Sequence, residues 1–463
     1  MRIPGRSIVL CALAPAATLG AQSLDGVWRT QGYGRVLQVQ GGSLSAWEVT
    51  ATTCVKSFTA TMDSAAVPGR IATFRTSTGR VFFVRTGVSK DFHLLHNDGA
   101  ASDMRIDRIR GVPSVCTPPT TDTPANNFEV FTRTWAEHYI LFDQKQVDWP
   151  SLVETNRARV SATTTPAELF DILEGMIKPL DDAHTSLGAQ ALNRRFGGLR
   201  SGTDAVMKAY GGPDGFRKDG LPKIFGLVEQ KYLTGPIRKW CNDQVQYGHL
   251  NDSTGYLRII SFSGFGKEPT FASGLVALEA ALDTIFTDPK LKGLVIDVRI
   301  NFGGADPYGL AIASRLATKE YLAYTKEARS DPADRNKWTP GDRSMVTPSS
   351  RPGFRGPVVE LIGELTISAG ETFTQAIMGR TPQITRVGEN TQGVFSDVLG
   401  RGLPNGWRFG LPNEVFRASD GKTFDGMGIP PDVAVAVFPD ADLAAGRDPG
   451  IEKALAILRS PSP

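Results

Sequence analysis

Cysteine, histidine and excess charge are all scarce in this chain of 463 residues, which has four cysteines, five histidines and a formal net charge of +3. No Cys/His spacing typical of a metal site is present, so we expect neither a metal nor another cofactor. The balanced charge, without a basic cluster, argues against a nucleic-acid partner. No apolar run, the N-terminal one included, is long enough for a transmembrane helix, so we expect no stable membrane insertion.

Residues 1–21 have the pattern of a secretory signal peptide. Arg2 and Arg6 give a basic start, residues 8–19 are mostly apolar and small, and residues 19–21 offer a cleavage site. The apolar run is too short to span a bilayer. We therefore expect an exported protein, either periplasmic or secreted.

Three cysteines remain after removal of that segment: Cys54, Cys116 and Cys241. Export would bring them to an oxidising compartment, where disulfides persist. Cys54 and Cys116 could staple the two ends of an N-terminal domain, or they could be small buried apolar residues without a bond. Cys241 is left over if the first alternative holds.

The pattern of the chain changes several times along its length. Residues 22–112 carry short apolar runs between Gly- and Ser-rich turns, which predicts an all-β barrel or sandwich. Residues 113–127 are rich in Pro and Thr and are typical of a linker. Apolar residues recur with helical spacing in residues 128–190. The segment 191–254 is polar and Gly-rich, and its weak periodicity leaves it unassigned.

Strands and helices alternate between residues 255 and 445, which predicts a parallel sheet with helices on its faces. The fold class is therefore α/β, preceded by a small all-β domain and followed by a tail at 446–463. Predicted strands cover residues 256–260, 293–298 and 357–362, and predicted helices cover 271–286 and 306–317 and begin again near 369.

Ser368 lies a few residues after a predicted buried strand and directly before a predicted helix. In α/β sheets, reactive groups gather at the carboxyl ends of strands, and a helix N-terminus favours negative charge. Ser368 could therefore be a nucleophile whose oxyanion is bound by the N–H of Ala369. It could equally be a helix N-cap, for which serine is among the best residues.

His184, in a short polar turn after a predicted helix, is the candidate for the base that such a nucleophile needs. His138 fits a helical pattern and is predicted to be a core or boundary residue. Two further segments could complete a site. Gly303 and Gly304 end a strand, and their N–H groups could donate to an oxyanion. Asp425, in a Gly-rich loop, could hold the imidazole tautomer. Ordinary turns would explain both segments as well.

These segments, in this order, resemble the C-terminal-processing (tail-specific) serine peptidase family over residues 125–440. The resemblance implies an α/β core related to the crotonase and Clp-protease folds. Its motifs are Leu-x-Asp-x-His at 180–184, Gly-Tyr-Leu-Arg-Ile at 255–259, Asp-x-Arg-x-Asn-x-Gly-Gly at 297–304, Ser-Ala-x-Glu at 368–371, Gly-Glu-x-Thr-x-Gly at 388–393 and Gly-Ile-x-Pro-Asp at 428–432.

One position distinguishes two branches of this family. Members with a Ser/Lys dyad carry a lysine directly after the Thr-x-Gly motif, where this chain has Val394. The chain is more similar to the branch of the tricorn core protease and the interphotoreceptor retinoid-binding modules, which has the Asp-x-His turn. The resemblance implies a triad of Ser368, His184 and Asp425, although the branch usually has Glu at the third position.

The sequence thus predicts an exported serine peptidase that hydrolyses peptides or unfolded proteins through a Ser-His-Asp triad and an acyl-enzyme. The N–H groups of Ala369 and of Gly303 or Gly304 would bind the oxyanion. An Asp425 carboxylate beside His184 should raise the pKa of the imidazole, because it favours the charged form. Two alternatives stay open: a non-catalytic, retinoid-binding-like protein on the same fold, and an esterase-type serine hydrolase.

Overall fold

The computed structural model describes residues 24–65 and 67–459. The predicted signal peptide, residues 1–21, lies outside them. Within the described part of the chain, no helix is both long and apolar enough to cross a membrane.

Eight antiparallel strands near the N-terminus close into a barrel in which the first strand pairs with the last. Its interior is filled by buried apolar side chains that include Trp28, Phe74 and Leu95. The sequence left a barrel and a sandwich open, and the structure is a barrel. Its strands are β1 (Gly26–Thr30), β2 (Arg35–Gln40), β3 (Ser43–Val49), β4 (Cys54–Met62), β5 (Ala72–Thr76), β6 (Val81–Ser89), β7 (Phe92–Asn97) and β8 (Met104–Ile109).

A disulfide joins Cys54, the first residue of β4, to Cys116, which lies in a short 3₁₀ turn after β8. The bond links two positions 62 residues apart in the sequence. Of the two alternatives for these cysteines, the structure therefore has the bonded one. Cys241 is free and buried in the apolar core of the C-terminal unit.

Three helices follow the barrel and share one apolar core. The first begins earlier than its apolar spacing predicts, because the Thr123 side chain caps it and Pro124 occupies its first turn. The predicted linker 113–127 therefore ends at Thr123. Thr165 caps the third helix in a capping box with Glu168. The helices are α1 (Pro124–His138), α2 (Trp149–Arg157) and α3 (Pro166–Ile177).

The polar segment 191–254, which the sequence left unassigned, contains three α-helices and three complete strands. The buried apolar side chains of its helices are few, among them Ile224 and Val228 of the third helix, so the helical period is weak in the sequence. The elements from residue 186 onward are β9 (Ser186–Ala189), β10 (Arg194–Gly197), α4 (Ser201–Lys208), α5 (Pro213–Gly215), α6 (Leu221–Lys231), β11 (Arg238–Trp240) and β12 (Val245–His249).

Strands and helices alternate in the C-terminal half, as the sequence predicts. The elements are β13 (Thr254–Ile259), α7 (Phe271–Phe286), β14 (Gly293–Asp297), β15 (Ile300–Asn301), α8 (Asp306–Leu316), β16 (Tyr321–Ala328), β17 (Asp342–Val346), β18 (Val358–Ile362), β19 (Leu365–Thr366), α9 (Ala369–Ile377), β20 (Thr385–Gly388), β21 (Val398–Gly402), β22 (Arg408–Pro412), β23 (Glu414–Arg417), β24 (Val433–Ala434), α10 (Asp440–Ala444) and α11 (Pro449–Arg459).

Seven strands form the main sheet, in the order β11-β12-β13-β14-β18-β20-β24, and those from β13 onward are parallel. Leu278 of α7, Ile312 of α8 and Phe373 of α9 belong to the apolar core that lies against this sheet. The carboxyl ends of β14 and β18 lie at the same edge of the sheet, where ligand sites of α/β proteins form. The chain leaves this edge through β19 and enters α9.

A smaller sheet, in the order β10-β9-β22-β21, joins the helical segment to the C-terminal unit. Strand β21 lies at its edge and faces the barrel. There the Gly402 N–H donates to Oε2 of Glu48 (2.7 Å), and the Arg401 guanidinium donates to the carbonyl oxygen of Tyr33. These two contacts attach the C-terminal end of β21 to the barrel.

Candidate active site

Ser368 is positioned by the connection between β19 and α9. Its backbone has φ 55° and ψ −114°. Such a conformation costs roughly 1–3 kcal/mol for a residue other than glycine and is common at active sites. The next residue, Ala369, begins α9, so its N–H has no acceptor within the helix. The half-buried Ser368 therefore stands beside an available N–H at the positive end of a helix.

The carboxylate of Glu371 holds the Ser368 connection in place. It is fully buried, and each of its oxygens accepts two hydrogen bonds. Oε2 accepts from the N–H groups of Ser368 (3.1 Å) and Val394 (2.8 Å). Oε1 accepts from the Gly393 N–H (2.6 Å) and the Thr391 hydroxyl (2.6 Å). Burial raises the pKa of Glu371 to about 7, against the effect of these donors. Sequence analysis gave this residue no role, although its motif contains it.

Gly303 lies directly beside Ser368, at a place that suits only glycine. Its φ is +73°, and a Cβ there would lie 2.9 Å from the Ser368 Cβ and 3.3 Å from the Ala369 nitrogen. Its own N–H donates to Oδ1 of Asn301 (3.0 Å). Across the described ranges, the N–H of Gly304 has no hydrogen-bond acceptor. The N–H groups that remain available near the serine are therefore those of Ala369 and Gly304.

Two aspartates anchor the turn that carries His184. Asp182 accepts the His184 backbone N–H on Oδ1 (2.9 Å) and the Tyr139 hydroxyl on Oδ2 (2.9 Å). Asp181, with φ 49°, accepts the Ser201 N–H (2.7 Å). The backbone of the turn is thus fixed against α1 and the start of α4.

The imidazole of His184 is partly exposed, yet it is enclosed enough for burial to dominate its pKa. Burial lowers the pKa from the usual value, and the nearby Asp182, Asp397 and Ser396 backbone oppose the change without reversing it. The expectation that a carboxylate would raise this pKa is therefore wrong, because desolvation of the ring prevails. Nδ1 is sealed from solvent and has no hydrogen-bond partner among the described residues.

Asp425 is buried in the Gly-rich loop between β23 and β24. Oδ1 accepts the Phe395 N–H (3.1 Å), and Oδ2 accepts the Thr423 hydroxyl (3.2 Å). Burial raises the pKa of Asp425 to about 7. In the part of the chain that the structure describes, His184 makes no hydrogen bond through its ring to Asp425 or to Ser368. Both triad contacts therefore stay predictions.

One short segment, residues 393–397, contacts the surroundings of all three side chains. Its first two residues donate to Glu371, which also holds Ser368, and its third residue donates to Asp425. Its last two residues lie close to the His184 ring. The structure thus gathers the three predicted residues around a single stretch of backbone.

Behind this segment lies an ionic cluster that sequence analysis missed, in which Lys326 and Glu414 are buried and Asp397 is half-exposed. Lys326 of β16 pairs with Asp397 (2.5 Å) and Glu414 (3.2 Å). Tyr33 of the barrel donates its hydroxyl to Oε1 of Glu414 (2.7 Å), and Oε2 accepts the Asp397 N–H (3.1 Å). The nearby Asp306 has a pKa raised to about 7 by burial. These residues come from distant parts of the chain and share no motif, so no local signal could have found them.

Two family matches cover most of the C-terminal three quarters of the chain. Residues 253–435 match Peptidase family S41, and residues 121–178 match the tricorn protease C1 domain. A carboxy-terminal-processing protease from Bartonella bacilliformis is 27% identical over 181 residues, which are 39% of this chain and 38% of that protein. The matched region thus spans less than half the length of this curated relative.

Solved structures support the same relationship. A candidate peptidase from Parabacteroides merdae is similar with a TM-score of 0.61 and 28% identity, over 74% of this chain and 98% of that chain. Mature CPAF in complex with lactacystin is similar with a TM-score of 0.52 and 12% identity, over 73% and 97% of the two chains, a likeness that concerns the fold alone. The predicted α/β core behind a small all-β domain and the resemblance to the C-terminal-processing peptidase family are confirmed.

Proposed function

We propose that this chain is an exported serine peptidase with Ser368 as nucleophile, because residues 253–435 match peptidase family S41 and residues 121–178 match the tricorn protease C1 domain. The observation that carries the proposal is the environment of Ser368. Its backbone is held at positive φ at the start of α9, near the available N–H groups of Ala369 and Gly304. Ser368 is also the N-cap of α9, where its N–H donates to Glu371, but a helix N-cap alone would need neither this backbone strain nor Gly303 packed against it.

In the proposed reaction, Ser368 Oγ attacks the carbonyl carbon of a peptide bond while His184 accepts the hydroxyl proton. The carbonyl oxygen becomes an oxyanion that accepts hydrogen bonds from the N–H groups of Ala369 and Gly304. His184 then gives its proton to the leaving amine, and water releases the acyl group from the Ser368 ester. Because burial lowers the pKa of His184, the ring is neutral at pH 7, as a base must be.

Asp425 is our candidate for the carboxylate that orients His184. The buried Nδ1 of His184 has no partner within the described residues, which supports a contact that forms in the substrate complex. Segment 393–397 contacts both groups, so a movement of this segment would change the distance between them.

Export is the second part of the proposal. The Cys54–Cys116 disulfide supports it, because such bonds persist in oxidising compartments. If the full chain is produced in a bacterial host, N-terminal sequencing of the protein outside the cytoplasm should begin at Gln22. A protein that stays in the cytoplasm at full length would contradict export.

A fluorophosphonate probe, used with a protein substrate, tests the catalytic proposal. The probe should label the wild-type protein and the exposed-serine control Ser350→Ala, and it should not label Ser368→Ala. Unfolded casein should be cleaved by the first two proteins only. Labelling with hydrolysis of a nitrophenyl ester but no cleavage of casein would indicate an esterase. A folded wild-type protein that is neither labelled nor active would indicate a non-catalytic binding protein.

A further inference from the structure

A groove lies between the edge strand β21 and strand β4 of the barrel, and it contains a cavity of about 710 Å³. We call it the barrel groove. Residues 397–400 line one side of it, and residues 57–59 of β4 line the other. The groove begins at Asp397, the last residue of segment 393–397, whose charge acts on the His184 ring. It therefore adjoins the candidate active site on the side of the proposed base.

Strand β21 presents part of its backbone to this groove, because it pairs with β22 on one side only. In an antiparallel pair, alternate residues direct their N–H and C=O groups away from the partner strand. The N–H of Gly402 points away from β22, since it donates to Glu48. Pro412, opposite Val398, has no N–H to give. The N–H groups of Val398 and Gly400 therefore also point away from β22, and neither donates to another part of the described chain.

Within the described residues, nothing fills the space beside these two positions. Val398 is 49% exposed, and a Cβ on Gly400 would meet no atom within 4 Å. An open strand edge accepts an extended peptide as an additional strand. Cavities of roughly 300–1,000 Å³ are of the size that holds ligands. The barrel groove therefore suits an extended stretch of peptide.

Three arginines line the groove: Arg35, Arg80 and Arg408. Among the described residues, none of them makes an ion pair or donates a side-chain hydrogen bond. Arg35 lies over the Phe58 ring (5.9 Å), and its nitrogens are open to solvent. Burial lowers the pKa of Arg35. The charges of Arg80 and Arg408 lower this pKa further, against the effect of Glu48. The three guanidiniums are therefore near enough to repel one another.

The acidic groups that line the groove are held by other partners. Glu48 accepts the Ser57 hydroxyl (2.6 Å) and a backbone N–H of β21 (2.7 Å). At the end near the active site, Asp397 and Glu414 share the ammonium of Lys326. One carboxylate thus faces three guanidiniums at the arginine end, whereas two carboxylates face one ammonium at the other end. An acidic group of a ligand is therefore favoured at the arginine end.

The length of β21 sets the distance between these two ends. Arg408 is paired opposite Gly402, which lies five residues after Asp397. Resting on the proposed peptidase function, we propose that the barrel groove binds an extended stretch of the substrate as a strand beside β21. Its arginines, Arg35, Arg80 and Arg408, hold a carboxylate of that substrate roughly 17 Å, or at least about five extended residues, from the cut bond.

Titration calorimetry on the full chain tests this proposal, with Ser368→Ala as the background so that no peptide is cut. The probes are blocked decapeptides with two glutamates at one end or at the other, and their glutamine counterparts. One acidic peptide should bind roughly tenfold more tightly than its counterpart, and the difference should shrink in about 0.5 M salt. A glutamine peptide with a free carboxyl terminus distinguishes the two sources of a carboxylate. It should match the acidic peptide if a chain end suffices, and the blocked glutamine peptide if a side chain is required.

Methylation of alternate backbone nitrogens of the acidic peptide tests the strand pairing. In a strand added to β21, every second N–H of the peptide faces β21. One of the two methylated forms should therefore bind roughly tenfold more weakly, and the other should bind nearly as well as the parent.

Arg80→Gln and Arg408→Gln should each weaken binding of the acidic peptide by roughly threefold to tenfold, without an effect on the glutamine peptide. Arg110→Gln is the control, because Arg110 is an exposed arginine at the end of the barrel and does not line the groove. Melting temperatures of the three variants should stay close to that of the parent. With the active chain, mass spectrometry of the products should place the cut at least about five residues from the glutamates.

The groove proposal fails if acidic and glutamine peptides bind equally, or if both methylated forms bind like the parent. It also fails if the folded double variant Arg80→Gln/Arg408→Gln binds the acidic peptide normally, or if the cut lies beside the glutamates. Any of these results together with cleavage of casein would leave the peptidase function intact. Selective binding of the acidic peptide by a chain that neither cleaves casein nor reacts with the fluorophosphonate probe would contradict the peptidase function instead.

Discussion

The two sides of the candidate site are held in different ways. On the serine side, Glu371 accepts four hydrogen bonds and fixes Ser368 to the neighbouring loop. On the histidine side, Asp182 anchors the backbone of the turn, but Nδ1 of the His184 ring has no partner in the described residues. The proposed nucleophile is thus held in place, whereas no hydrogen bond fixes the orientation of the proposed base. Changes on the serine side should therefore affect folding as well as rate, and changes at the histidine should affect rate alone.

The largest effect should come from His184→Ala. If the ring is the general base, the change should lower kcat on casein by on the order of 10³-fold or more. Because the ring makes no hydrogen bond through Nδ1, the free energy of unfolding should change by less than about 1 kcal/mol. Lys422→Ala is the control, since Lys422 is the lysine nearest Asp425 in sequence, and it should leave both values nearly unchanged. An active His184→Ala protein beside an inactive lysine variant would favour the Ser/Lys branch.

Glu371→Gln should lower the free energy of unfolding more than Glu360→Gln does. Comparison of the two variants tests whether the hydrogen bonds of Glu371 stabilise the serine side. Both carboxyl groups are fully buried, but Glu360 bonds to Thr374 through one oxygen and burial raises its pKa to about 8. It is therefore mostly protonated at pH 7, and Gln can replace it. In Glu371→Gln, an amide NH₂ would face two donors, which should lower the free energy of unfolding by about 2–4 kcal/mol.

Urea unfolding of the two variants measures this difference, and casein cleavage should be lost only in the first. Equal stability of Glu371→Gln and Glu360→Gln would show that the four hydrogen bonds do not hold the serine side.

The pH dependence of kcat/KM should show which group on the histidine side controls activity. A neutral ring is the active form, and burial lowers the pKa of His184 from about 6.5, so activity should rise through a step with its midpoint below that value. The rate should be level at pH 7. A midpoint near 7 would instead match Asp425, whose pKa burial raises to about 7. In Asp425→Asn, a step near pH 7 should then disappear. That result would show that ionisation of the Asp425 carboxylate, and not of the imidazole, limits the rate.

The smallest effect should come from Tyr33→Phe, which tests whether the barrel supports the histidine side. The change removes the hydroxyl that donates to Glu414, while Lys326 still pairs with that carboxylate. We expect a loss of about 1 kcal/mol in the free energy of unfolding and a few-fold loss in kcat. Tyr321→Phe is the matched control, because the Tyr321 hydroxyl is buried without a hydrogen-bond partner in the described chain. Equal results for the two variants would exclude a role of the barrel in the site.

The fold of the C-terminal half was largely predictable because its signals are local. The run 293–298 is almost continuously apolar, as a strand buried on both faces must be, and the structure has β14 there. The predicted helix 271–286 coincides with α7, whose apolar residues recur at helical spacing. The position of Ser368 could be predicted for the same reason, because the strand, the serine and the helix follow one another within a few residues.

The surroundings of the histidine could not be predicted, because they are made by residues far away in sequence. The pKa of His184 depends on its enclosure and on Asp397, which no spacing rule connects to it. Tyr33 reaches Glu414 across most of the chain. The helices of segment 191–254 were missed for a different reason. They bury so few apolar side chains that the helical spacing of apolar residues cannot be recognised in the sequence.

The contact between the barrel and β21 has a consequence for the solubility of the protein. An uncovered strand edge is a template on which other chains can add strands. Here the Gly402 N–H donates to Glu48, and the Tyr33 carbonyl oxygen accepts from Arg401, so the barrel blocks the C-terminal end of this edge within one molecule. A shortened protein that begins after the barrel would present β21 to its neighbours, and we expect it to self-associate and precipitate even where its α/β unit folds.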